Sequence, residues 1–222
     1  MKAAVIVFPG SNCDRDLAVA LQNEGADVSM VWHKDTALPE GVDLVAVPGG
    51  FSFGDYLRCG AIAANSPICG ELKAHVARGG YALGICNGFQ VLTETGLLPG
   101  ALRRNAGLKY ICKPVDLRVE ATDTAYTSRY EAGQIVTYPI AHHDGNYFVD
   151  DNKLSELEGE GRVAFRYVNN PNGSVADIAG VISRNRRVLG LMPHPERMAE
   201  QSHGGTDGKA MFTSLMSQMA LA

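Results

Sequence analysis

The chain has no pair of cysteines at C-x-x-C spacing, and its five cysteines (Cys13, Cys59, Cys69, Cys86 and Cys112) are odd in number. Neither a disulfide framework nor a zinc ribbon is indicated. No apolar run is long enough to span a bilayer. The N-terminal MKAAVIVF stops at Pro9-Gly10, short of a signal-peptide core and with no cleavage pattern behind it. Basic residues are few and interleaved with acidic ones, for a net charge of −4. Their densest cluster, Arg184 to Arg187, reads as a solvated turn, which leaves nucleic-acid binding unsupported. The stretch GGTDGKA (204–210) has the wrong glycine spacing for a phosphate loop, with Ala210 where Ser or Thr is needed. It reads instead as a mobile loop capping the last helix. There are no repeats, low-complexity tracts or linker-like breaks. These absences predict one domain over 1–222, without a metal site, in a reducing cytoplasm.

What is present is alternation. The runs AAVIVF (3–8), VSMVW (28–32), DLVAVPGG (43–50) and YALGI (81–85) read as strands. Helical patterns lie between them, over 14–25 and through the 60s and 70s, with another over 89–95. Continuous apolar strands separated by helices predict a parallel sheet covered on both faces, with ligands outside the carboxyl ends of the strands. From about residue 108 the segments KYICKPVDLRVE, GQIVTYPIAH, GRVAFRYV, IAGVIS and RVLGLMPH look shorter and partly antiparallel. A closing helix places Met211, Phe212, Leu215, Met216 and Met219 on one stripe, read as core packing. The expected fold is a three-layer αβα class, flavodoxin-like and mostly parallel, with antiparallel strands in the second half.

Chemistry concentrates in GYALGICNGFQVL (80–92). A cysteine in apolar surroundings suits an inert buried thiol, but Gly84-Ile85-Cys86-Asn87-Gly88 has the G-x-nucleophile-x-G spacing of a strand–turn–helix elbow. The end of a strand and the start of a helix is also where unpaired N–H groups favour a thiolate. A base is needed, and the base needs an orienter. His33, His75 and His203 read as loop or surface positions; His142 and His143 are less easily set aside. The best candidate is in LGLMPHPER (189–197), where His194 and Glu196 would face the same way if Pro193 and Pro195 hold the chain extended. An ordinary surface His–Glu contact is the competing account of that pair. An oxyanion could be met by the backbone N–H groups of Asn87 and of the Pro48-Gly49-Gly50 segment.

PGG, then G-I-C-N-G-F-Q, then P-H-P-E, in this order and at these distances, resemble the class I (triad) glutamine amidotransferase domain over essentially the whole chain. FPGSNCDRD (8–16), GGFSFGDYLRCGAIA (49–63), AHHDGNY (141–147) and MPHPER (192–197) narrow the likeness to the family of glutaminase subunits of split phosphoribosylformylglycinamidine (FGAM) synthases. The resemblance implies Cys86 as nucleophile, His194 as general acid and base, and Glu196 as its orienter. It implies Gly50 and Asn87 as oxyanion donors, and Gln90, one turn past Cys86, as a contact to glutamine. It implies no cofactor in this chain, with ATP and Mg used by a large synthetase subunit and a small bridging subunit completing the complex. His143-Asp144 and Lys113 depart from the expected Gly-Glu and Arg. Alternatives are an amidotransferase serving another synthetase, a DJ-1/PfpI-like cysteine hydrolase, and a binding subunit without activity.

Overall fold

A computed structural model describes residues 1–219. The first apolar run forms β1 (Lys2–Val7), followed by α1 (Asp14–Asn23), β2 (Asp27–Trp32), β3 (Leu44–Val47), α2 (Pro67–Ala77), β4 (Tyr81–Ile85) and α3 (Asn87–Glu94). Next come β5 (Ala101–Arg103), β6 (Ile111–Val119), β7 (Ile135–His142), β8 (Asn146–Phe148) and α4 (Asp151–Gly159). The chain continues through β9 (Val163–Tyr167), β10 (Ile178–Ile182), β11 (Val188–Leu191) and α5 (Lys209–Met219). Nine strands make one sheet in the order β2-β1-β3-β4-β11-β10-β9-β6-β7, and β5 pairs with β8 apart from it. From β2 to β11 every pairing is parallel; from β11 to β7 every pairing is antiparallel.

Burial follows from the residues. β3, β10 and β11 are apolar throughout and wholly buried, because layers cover both of their faces. β2 lies at the sheet edge and leaves Met30 and Trp32 exposed. The chain leaves β1 toward β2 but leaves β3 toward β4, in the opposite direction. With right-handed crossovers this puts α1 and α2 on opposite faces. α5 packs on α1, and α3 shares the 63–65 turn with α2, completing three layers. The helical stripe read from the sequence is real: Met211, Phe212 and Leu215 are buried.

That reversal of direction opens a crevice between β1 and β3, where parallel sheets bind ligands. The loops after β1, β3, β4 and β11 all emerge at this one edge. β4 and β11 are direct neighbours, with Ile85 opposite Leu191, and the Cys86 N–H donates to the Leu191 carbonyl at 2.8 Å. Residues 86 and 194, more than a hundred apart in sequence, are thereby brought to adjacent strand ends.

Two sequence expectations change. His75, on α2, is buried instead of at the surface, and His33, in the turn after β2 as expected, is buried too. His75 folds over Gly80, where any Cβ would overlap the ring, and its Nε2 lies 3.1 Å from the Tyr81 carbonyl. The 204–210 stretch does more than cap a helix: the Gly208 N–H donates to the Met198 carbonyl at 2.8 Å, and its missing side chain lets the Pro195 backbone approach. The Arg184–Arg187 turn is solvated as expected, with Arg184 paired to Glu156 on α4 and to Glu160 just past its end.

Candidate active site

Cys86 sits at φ 53°, ψ −108°, a conformation that costs a residue with a side chain about 1–3 kcal/mol. The flanking glycines make the turn possible. A Cβ on Gly84 would lie 2.7 Å from the Gly88 backbone, and one on Gly88 would overlap the Val47 carbonyl of β3. Only without those atoms can α3 start directly over the sheet and hold the sulfur above its edge. Cys86 is nonetheless 5% exposed.

His194 and Glu196 form the pair foreseen, but by another local geometry. Pro195 starts a 3₁₀ turn over Pro195–Met198 instead of holding the chain extended. Pro favours such a first helical position, since its missing N–H is not needed there. The turn carries Glu196 under the imidazole, and His194 Nδ1 lies 2.6 Å from Glu196 Oε1. Both side chains are buried, which removes the solvated ion pair as an account of them. Burial opposes protonation of His194, but the Glu196 carboxylate and then the neighbouring Cys86 and Cys13 side chains outweigh it, and the pKa is raised well above the ordinary imidazole value. Nε2, the other ring nitrogen, is buried without a hydrogen-bond partner.

Gly49 sets the spacing of these groups. A Cβ there would meet His194 Cε1 at 2.7 Å, Cys13 Sγ at 3.1 Å and Cys86 Cβ at 3.4 Å. Gly50 pairs with Ser11 in an antiparallel bridge whose hydrogen bonds come from the neighbours, Asn12 N–H to Gly49 and Phe51 N–H to Gly10. The Gly50 N–H is therefore left out of the ladder. The Asn87 N–H, first in α3, has no intrahelical partner. The Asn87 side chain ties the two loops together: Oδ1 accepts from the Ser52 N–H at 3.2 Å.

Gln90, which the resemblance implies as a contact to glutamine, is tied to its neighbours. It is buried, its Oε1 accepts from Asn87 Nδ2 at 2.8 Å and its Nε2 donates to the Asp144 carbonyl at 2.7 Å. In this conformation its amide is occupied in holding Asn87 and the 141–147 loop. His142, also buried, lies 3.1 Å from Asn105 Oδ1, and desolvation lowers its pKa to about 4. It is a neutral framework group, and His143 pairs with Asp144 at the surface.

Two contributors went unassigned in the sequence reading. Cys13, after β1, has its sulfur within 4.8 Å of donor atoms of both His194 and Glu196. Arg197 binds Asp16 at 2.9–3.0 Å and lines the same recess as Cys86 and His194. The signal for Cys13 was its place past the carboxyl end of a parallel strand, the same signal that singled out Cys86. The recess measures about 50 Å³ and adjoins, through Phe51, a cleft of about 550 Å³ flanked by Asp55, Arg58, Arg104 and Asp144. A groove of similar size near Asp43, Tyr81 and Arg187 lies at the amino ends of the strands, away from the thiol. Among the described residues no helix is long and apolar enough to cross a membrane.

Residues 1–206 match the CobB/CobQ-like glutamine amidotransferase domain family. The chain is 72% identical over 215 residues to phosphoribosylformylglycinamidine synthase subunit PurQ of a Ruegeria species, covering 97% of each. It is 70% identical to the PurQ subunit of Cereibacter sphaeroides over the full length of both. Among solved structures, PurLQS from Thermotoga maritima superposes with a TM-score of 0.90 at 46% identity, covering 98% of both chains. A glutamine amidotransferase of Thermotoga maritima matches at 0.67 and 13% identity, a likeness of fold. With an elbow thiol, a buried His–Glu pair and this coverage, the chain belongs to the CobB/CobQ-like class I glutamine amidotransferases.

Proposed function

We propose that this chain is the glutaminase subunit of an FGAM synthase, acting as one unit over its whole length. It would release ammonia from glutamine for a synthetase subunit that converts formylglycinamide ribonucleotide to formylglycinamidine ribonucleotide. The single observation behind this reading is near-full-length identity to subunits of that name, on a chain whose thiol and buried His–Glu pair meet at one sheet edge.

The chemistry assigns each group a task. The Cys86 thiolate attacks the side-chain amide carbon of glutamine, and the N–H groups of Gly50 and Asn87 receive the developing oxyanion. Imidazolium His194 gives its proton to the departing nitrogen, so ammonia leaves and a γ-glutamyl thioester remains. Neutral His194 then takes a proton from water, which attacks the thioester and frees glutamate. Glu196 holds the ring tautomer and balances its charge throughout. ATP and Mg serve the synthetase, and this chain carries no cofactor of its own. Ammonia set free into neutral water would become ammonium, which is no nucleophile, so a large synthetase subunit and a small bridging subunit complete the assembly. Five unpaired cysteines support a reducing, cytoplasmic setting.

A recess of about 50 Å³ is room for a water or an ion rather than a glutamine side chain. Docking of the synthetase is therefore expected to open and complete the site. The test is ammonia release with and without the synthetase, together with mapping of the residue labelled by diazo-oxonorleucine. Labelling anywhere but Cys86 overturns the mechanism, and full activity of the isolated chain overturns the gating. Assembly of an active complex with some other ATP-dependent synthetase would move the chain to a different pathway.

A further inference from the structure

Among the described residues one cluster of donors is richer than the reaction needs. Amide hydrolysis calls for one thiol and one imidazole, yet a second thiol, Cys13, is buried beside them. Donor atoms of Cys13, His194 and Glu196 lie within 4.8 Å of one another, and the Cys13 and Cys86 thiols both act on the same imidazole. Between the two thiols the chain has Gly49, with no side chain to fill the space.

We propose that Cys13 Sγ, Cys86 Sγ and His194 Nε2 form a chelating site for a single thiophilic divalent cation, zinc foremost, and that its occupancy shuts the glutaminase off. Two sulfurs and one imidazole leave a fourth position for water, the donor set of an open tetrahedral zinc site. His194 is 2% exposed, its Nε2 is buried without a partner, and the two thiols both act on its ring. Nδ1 is already held by Glu196 at 2.6 Å, the carboxylate–histidine arrangement that orients zinc-bound imidazoles. Two donors bonded to one zinc at about 2.3 Å are at most about 4.6 Å apart. The Cys13 sulfur is already within 4.8 Å of a His194 ring nitrogen. A Cβ on Gly49 would lie 3.1 Å from Cys13 Sγ and 3.4 Å from Cys86 Cβ, so turning the Cys86 side chain toward Gly49 is the movement that closes the sphere. The recess of about 50 Å³ suits an ion. As the bonds form, the Cys86–His194 pair gives up the one proton it shares and the Cys13 thiol gives up another, both to solvent, and two thiolates neutralise the dication in a buried place. No oxidant is involved. The bound cation occupies the sulfur that would attack glutamine.

The chelate is independent of what the chain hydrolyses; its inhibitory consequence rests on the glutaminase reading. Cobalt(II) added to the full-length chain under a phosphine reductant reads the chelate directly. One equivalent is expected to give tetrahedral d–d bands and a thiolate-to-cobalt charge-transfer band of two-sulfur intensity. Cys13→Ala should lower that band to one-sulfur intensity, Cys86→Ala should lose it likewise, and Cys112→Ser, removing an exposed thiol, should leave it unchanged. In the assembled synthase zinc should block ammonia release reversibly to a chelator. Relative to each protein's own zinc-free rate, Cys13→Ala should need about tenfold more zinc or beyond for half inhibition. Octahedral or absent cobalt bands in the parent chain overturn the proposal, as does equal zinc sensitivity with and without Cys13. If Cys13→Ala does not fold, the sulfur count in the parent spectrum and its response to Cys86→Ala still decide.

Discussion

Replacing Gly49 with alanine adds one methyl group between the imidazole and the two thiol-bearing loops. Its φ lies outside the left-handed region, so the backbone accepts alanine and the effect is purely steric. The new Cβ would stand 2.7 Å from His194 Cε1, against about 3.5–4.0 Å for carbon atoms in comfortable contact. Something must give by about 1 Å. The His194 main chain is fixed by its N–H bond to the Pro139 carbonyl at 2.9 Å, and the far side of the ring by Glu196. The ring is therefore expected to tilt away from Cys86. A displacement of about 1 Å at reacting groups costs roughly 10²-fold in rate, while overpacking destabilises by about 1–3 kcal/mol. The expected result is a folded protein that assembles normally and releases ammonia from glutamine with kcat down about 10²-fold. Steady-state glutaminase kinetics of the complex, with a thermal melt of the chain, make the measurement. An unchanged kcat in a folded Gly49→Ala protein would refute the claim that this glycine spaces the imidazole from the thiol.

Gly70, in α2, is exposed and has open space around its Cα, so Gly70→Ala should stabilise by about 0.5–1 kcal/mol in urea unfolding; destabilisation would contradict the packing described. Glu196→Gln keeps the shape but removes the charge that holds His194 protonated, and kcat should fall by on the order of 10⁴-fold, with a near-native rate refuting the triad. His142 is held neutral, its pKa lowered from 6.5 to about 4, so the unfolded chain binds the extra proton between those values and stability falls as pH drops through that window. The loss should reach about 3 kcal/mol by pH 4 and be largely absent in His142→Gln; identical pH slopes of the unfolding free energy in the two proteins would dismiss the account.

Local patterns carry as far as neighbouring residues dictate conformation. The strands of the first half, the elbow at Cys86 and the candidacy of His194 with Glu196 were all legible in sequence. Apolar runs, paired glycines and flanking prolines act over a few residues and leave marks at fixed spacing. Helix α4 was not legible. It begins with the Asp150 Oδ1 cap on the Lys153 N–H at 2.7 Å and buries only Leu157, so it has no apolar face to read. The extended course expected for His194-Pro195-Glu196 gave way to a 3₁₀ turn because Gly208 and α5 brace that segment from 10 or more residues downstream.

The sequence by itself determined which groups could act: a thiol on a strained hinge, an imidazole with a carboxylate two residues away, and glycines where side chains would intrude. Only the tertiary structure decided that they act together. The β4–β11 pairing sets Cys86 beside His194, and the reversal of direction at β1 brings Cys13 and Gly49 to the same edge. The tertiary structure also turned Gln90 inward to hold Asn87. The physical reason is that long-range strand order is a property of the folded sheet, whose burial energy no short stretch of chain contains.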